Sequence, residues 1–142
     1  MDDAVSRFLA ATKANDMAAL ASTLAPDATL PSPVIGRAVF KGRADVLAVL
    51  TLVYGMLRDV RWEPPFGEGS RWTAIAEARV GGLQIGDAMV FELDAEGLIV
   101  RVRPHLRPLL ATAVFFLMIG PRVARQPGLL LRAIRSESGT RD

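Results

Sequence analysis

Near the start of the chain Val5, Phe8, Leu9 and Thr12 share one face at helical spacing, and Asp2 or Asp3 is placed to cap that helix. Asn15-Asp16 interrupts it, and Asp16 caps a short second helix through Met17, Leu20 and Leu24 that stops at Pro26. ATLPSPVIG then predicts a short strand. Its two prolines each remove a ladder donor, so the strand lies at an edge or carries a bulge. Beyond turns at Gly36 and Gly42 a longer helix is predicted from Arg43 to Leu57, with Val46, Leu50, Val53 and Leu57 in one stripe and Leu47 and Tyr54 beside it.

From Arg58 to Leu106 the period changes to that of strands: DVRWEPPF, RWTAIAEARV, LQIGDAMVFELD and LIVRVRPHL, separated by GEGS, the hairpin signal Gly81-Gly82, and DAEG. In the third run Ile85, Asp87, Met89, Phe91 and Leu93 face one way, and Gly86, Ala88, Val90 and Glu92 the other. In the second, Ala74, Ala76 and Ala78 occupy a face of their own, small enough for close helix packing or for a ligand. Helices followed by an antiparallel meander predict an α+β fold, a curved antiparallel sheet wrapped around the long helix.

The stretch LLATAVFFLMIG, Leu109–Gly120, is the most apolar in the chain. It is shorter than the roughly 20 residues a spanning helix needs, and a helix apolar on every side must be covered on every side. Gly120-Pro121 is expected to end it and Pro127-Gly128 to separate a second short helix, LLLRAIR, with Arg122, Arg125, Arg132 and Arg135 on the wet side. The chain thus divides into a body, 1–106, and an apolar, arginine-rich helical extension, 107–142. Charge follows the same division. Residues 1–100 carry 9 Lys+Arg and 13 Asp+Glu, whereas residues 101–142 carry 8 Arg and 2 acids. The extension could cover the body, a second subunit or an anionic membrane surface.

Composition removes several functions. Cysteine is absent and histidine occurs once, so thiolate chemistry and Cys- or His-rich metal sites are not expected. FGEGS lacks the lysine and the helix of a phosphate loop, and no cofactor is implied. The arginines are interleaved with long aliphatic runs beside an acidic body, which disfavours nucleic acid as a partner. The start, MDDAVSRFLAATK, begins acidic and has neither the basic start nor the unbroken apolar stretch of a signal peptide, so a cytoplasmic location is expected. Ser136–Asp142 has the composition of a disordered tail.

N-D-x-x-A-L, the A-P-D-A-T that follows, and F-x-G-R-x-D-V, in this order before a four-run meander with LDAEGLI, resemble the SnoaL-like and ketosteroid-isomerase-like branch of the nuclear transport factor two-like superfamily. The resemblance covers about residues 3–106. It implies a cone-shaped, cystatin-like α+β roll, often dimeric, with an apolar cavity between sheet and helices. The isomerases of that family use an aspartate base and an oxyanion hole made of a tyrosine and a protonated aspartic acid. Carried over one at a time, the base falls at Ser32, the tyrosine at Phe8 and the oxyanion acid at Met89, none of which has the required group.

The chemistry is therefore sought elsewhere. Asp87, among Ile85, Met89 and Phe91 on one strand face, is the first candidate for a desolvated general base. His105 is the other catalytic candidate, as the sole imidazole, although alternation puts it with Arg101 and Arg103 on the face away from Val102, Pro104 and Leu106. The ligand-binding candidates are Phe8, Ser32, Tyr54, Met89, Phe91, Val102 and Leu106, and Tyr54 is also the single tyrosine. Two functions stay open. The chain holds a steroid-, terpene- or polyketide-like apolar molecule, with or without acid–base chemistry at Asp87. Alternatively it is a non-catalytic interaction module whose C-terminal helices mediate dimerisation or membrane-surface contact.

Overall fold

The computed structural model describes residues 3–33 and 35–135; the expected tail Ser136–Asp142 lies outside them. Helix α1 spans Ala4–Ala14 and is capped by Asp3, whose carboxylate accepts the Ser6 N–H at 2.7 Å. It ends on Asn15 in the left-handed region, and Asp16 caps α2, Met17–Ala21. Helix α2 is shorter than the sequence pattern suggests, because strand β1, Leu24–Pro31, has already begun before Pro26. The β1 ladder shifts register between Leu24 and Thr29, and Pro26 is exposed there, where no ladder donor is required. Strand β2, Val39–Lys41, forms an edge, and α3 follows at Arg43–Met56.

The remaining strands are β3 Arg58–Trp62, β4 Phe66–Glu68, β5 Arg71–Val80, β6 Leu83–Leu93, β7 Ile99–Arg103 and β8 Leu106–Arg107. They form one sheet in the order β2-β1-β7-β6-β5-β3, with β4 also on β5 and β8 also on β6. The sheet is mixed rather than purely antiparallel, since β1 and β7 run parallel. These two strands are joined through α3 and the whole meander, and a long connection permits either direction where a tight hairpin would not. LIVRVRPHL is also two strands, not one. Pro104 cannot donate to a ladder, so β7 pairs with β6 at Val90–Leu93 and β8 pairs with it at Gly86–Asp87, with the break between them.

One end of the interior is solid. Phe8, Leu24, Phe91, Ile99 and Val102 are fully buried, and the Phe8 and Phe91 rings meet edge to face with centroids 5.1 Å apart. At the other end α4, Leu109–Ala124, lies over the sheet and places Ala111 and Phe115 against Met56, Ala78, Val80 and Ile85. Gly120-Pro121 does not end this helix. Pro121 sits in its last turn, so the single hydrogen bond it removes leaves a carbonyl at the exposed Leu117 that water can serve. Helix α5, Pro127–Arg135, begins at its proline and buries Leu129 and Ala133 in the main core. Arg132 anchors it to the first turn of α3 through two hydrogen bonds to Asp45, at 2.8 and 2.9 Å.

Candidate functional site

Between α3, β5, β6 and α4 the interior is hollow. The β5 positions Ala74, Ala76 and Ala78 pair with Met89, Asp87 and Ile85 of β6, so a strip of methyl side chains lies beside larger ones and leaves room in front of them. Helix α3 closes the space with Val49, Leu50, Val53 and Tyr54, and α4 with Phe115, Phe116, Ile119 and Val123. The cavity measures about 180 Å³. An apolar cavity of about 150 Å³ stays dry and takes up benzene, so this one is large enough for a small organic molecule.

Among the described residues on its wall, Asp87 is the one charged side chain. Burial in these apolar surroundings pushes its carboxyl from the ordinary 3.8 up to about 6, opposed by a hydrogen bond and by positive charge, both from His105. The hydrogen bond is backbone to side chain: the His105 N–H donates to Asp87 Oδ1 at 2.8 Å. It exists because Pro104 interrupts the sheet. Past the break, the His105 carbonyl accepts the Ala88 N–H at 3.1 Å and the His105 N–H turns to the carboxylate instead of to a strand partner. One carboxylate oxygen is thus held in place, and the other makes no hydrogen bond among the described residues. Tyr54 shares the wall, and burial first and the Asp87 charge second raise its hydroxyl pKa, so it remains a proton donor at any ordinary pH.

The candidate residues separate into three groups. Asp87, Tyr54, Met89, Ser32 and Leu106 all line the cavity. Phe8, Phe91 and Val102 do not, since each is 0% exposed within the packed end. Alternation gives the face of Phe91 and Val102 correctly, but at their level α1, with Phe8 on it, fills the space that stays open further along β6. The third group is His105 alone. Its ring is exposed, with Nδ1 2.9 Å from the Ala88 carbonyl oxygen, so the imidazole does not reach the cavity and bears on Asp87 only through its charge, while the main chain makes the hydrogen bond. The lining contributed by α4, with Ile85, Ala76 and Ala78, is missing from the sequence-derived candidates. The apolar run of α4 was the available signal, since a helix too greasy for water and too short for a bilayer must cover something.

The geometry defines a class: a curved sheet and a long helix around an apolar chamber containing one carboxylate. Residues 5–102 match the SnoaL-like domain family, and the chain belongs to it. No curated protein matches this chain in sequence. Among solved structures, an uncharacterised bacterial protein with a cystatin-like fold from Silicibacter pomeroyi is 24% identical, with a TM-score of 0.85 over 94% of this chain and 95% of that one. A steroid delta-isomerase from Pseudomonas aeruginosa is 21% identical, with a TM-score of 0.79 over 88% of this chain and 92% of that one. A de novo designed protein with a curved β-sheet is 19% identical, with a TM-score of 0.65 over 78% of this chain and 88% of that one. A fold shared by an isomerase and a designed protein establishes architecture and leaves activity to the site.

Proposed function

We propose that this protein binds a small apolar molecule in the cavity under α4 and moves a proton on it through Asp87. The observation that carries the reading is a single inward carboxylate, the one charged side chain among the described residues of a mostly apolar wall. With its pKa near 6, Asp87 is mostly ionised at neutral pH yet still basic enough to accept a proton from a carbon next to a carbonyl. Tyr54, protonated and on the same wall, is the available donor to the oxygen on which negative charge would develop. Membership of the SnoaL-like family, and the common fold with a steroid delta-isomerase, favour a steroid-, terpene- or polyketide-like ligand. The volume of about 180 Å³ narrows that class to molecules of one or two rings unless α4 gives way.

The test is proton exchange. A panel of neutral cyclic ketones, from monoterpenoid to steroid size, is incubated with the protein in heavy water, and deuterium uptake beside the carbonyl is followed by NMR. Uptake should be catalysed for the smaller members, and Asp87→Asn should lower its rate by about 10²-fold or more while chemical-shift titration shows the ketone still bound. Uptake unchanged in Asp87→Asn removes the carboxylate from the reaction.

A further inference from the structure

The inner face of α4 closes the cavity; its outer face has no such occupation. Leu109, Leu110, Ala113, Leu117 and Ala124 are exposed and share one side of the helix, and this side carries no polar side chain. The three leucines are 86%, 67% and 77% exposed. A helix that meets water on one face ordinarily carries polar residues there, and a continuous exposed apolar face marks a contact surface. Helix α5 adds exposed Leu131 and Ile134. Around these groups stand cations. Arg107 precedes α4, Arg122 and Arg125 stand at its end, and Arg135 ends α5; all are exposed, and among the described residues none of the four forms a salt bridge.

We propose that this face docks the protein on an anionic lipid surface, with α4 lying in the plane of the interface, its leucines among the acyl chains and the arginines at the headgroup phosphates. The helix lies on the bilayer and does not cross it. No single described helix is long and apolar enough to cross a membrane, and α4 and α5 meet at 105°. A second copy of the chain fits the same face less well. A two-fold contact sets a patch against itself, so the arginines of one protomer would approach those of the other, while lipid phosphates attract them. The proposal does not rest on chemistry at Asp87. It does add a route to the cavity, because the docked helix holds on its other side Phe115, Phe116, Ile119 and Val123 of the cavity wall.

Flotation of the full chain with vesicles of phosphatidylcholine alone, or of phosphatidylcholine with phosphatidylglycerol, tests this. The protein should float with the anionic vesicles and be released by high salt. Leu110→Glu with Leu117→Glu should weaken vesicle binding about a hundredfold. Arg122→Glu with Arg125→Glu should weaken it about tenfold. Arg122 and Arg125 are both exposed, and that pair carries the test if the leucine pair disturbs folding. No flotation of the unaltered protein with anionic vesicles overturns the proposal. So does flotation of the arginine variant equal to that of the unaltered protein. A dimer that the leucine substitutions convert to monomer, without vesicle binding, would assign the face to a second copy and overturn it too.

Discussion

Strand β6 faces two different interiors. At Phe91 it pairs with Trp72 and presses on Phe8 in a solid core; at Asp87 it pairs with Ala76 and faces a cavity. The alternation is the same at both places, so the strand alone does not decide what is packed and what is hollow. The opposing layers decide. Helix α1 delivers a phenylalanine to the first place, whereas α3, α4 and the alanines of β5 stand back from the second. One strand therefore runs from the packed end into the cavity and carries both Phe91 and Asp87.

The largest effect should come from breaking the packed end. Phe91→Ala removes a ring that is 0% exposed and is expected to destabilise the fold by about 3–5 kcal/mol, read from urea denaturation. A loss near 1 kcal/mol would mean that this end relaxes easily, and the contrast between the two halves of β6 would disappear.

The hollow end should respond to pH in a way the packed end cannot. Asp87 holds its proton more tightly in the folded state, up to about 6, than in the unfolded chain, near 3.8. The neutral acid therefore favours folding fully below pH 4, and that advantage is lost as pH rises through about 6. Above this the buried carboxylate costs about 2–3 kcal/mol, allowing for its partial exposure. Asp87→Asn should accordingly be more stable than the unaltered protein by that amount at pH 8, and no more stable at pH 3.5. Urea midpoints across this range check it. Equal midpoints throughout would show the carboxylate to be well solvated.

How far could this contrast be read without coordinates? The helices, the meander and the inward direction of Asp87 are legible from periods of 3.6 and 2 and from capping residues such as Asp3 and Asp16. The depth of the interior is not, because alternation tells which face a side chain takes and nothing about the distance to the next layer. Phe91 and Val102 therefore read like cavity residues and are core, as is Phe8, a position that the family resemblance supplied. The hydrogen bond from the His105 N–H is equally hidden. Its cause, Pro104, is visible, but where the freed donor turns depends on the β6 register. The parallel pairing of β1 with β7 depends in the same way on partners distant in sequence.

Filling the hollow should leave the fold nearly intact while removing what the cavity does. Ala76→Leu places three additional carbons beside Asp87, at a position that is 6% exposed and faces the open volume. Binding of a neutral apolar probe such as a monoterpenoid ketone should weaken by about tenfold or more, with stability changed by no more than about 1–3 kcal/mol. Undiminished binding, measured by NMR titration, would locate the ligand elsewhere.

The smallest effect is expected at α5, which with α4 forms a lid over the cavity through Val123 and Leu130, and it decides whether the two ends form one cooperative unit. Arg132 holds α5 to α3 by its paired hydrogen bonds to Asp45, but its side chain is 62% exposed, where solvent and salt screen an ion pair. Leu129 and Ala133 keep their burial without it. Arg132→Ala should therefore leave the urea midpoint of the whole protein unmoved and show itself only locally, as faster amide exchange over residues 127–135, with β6 and β7 unchanged. Faster exchange that reached Phe91 would mean that the lid and the packed end open together. The cavity could not then admit a ligand without loosening the core, and the separation of a solid half from a working half would fail.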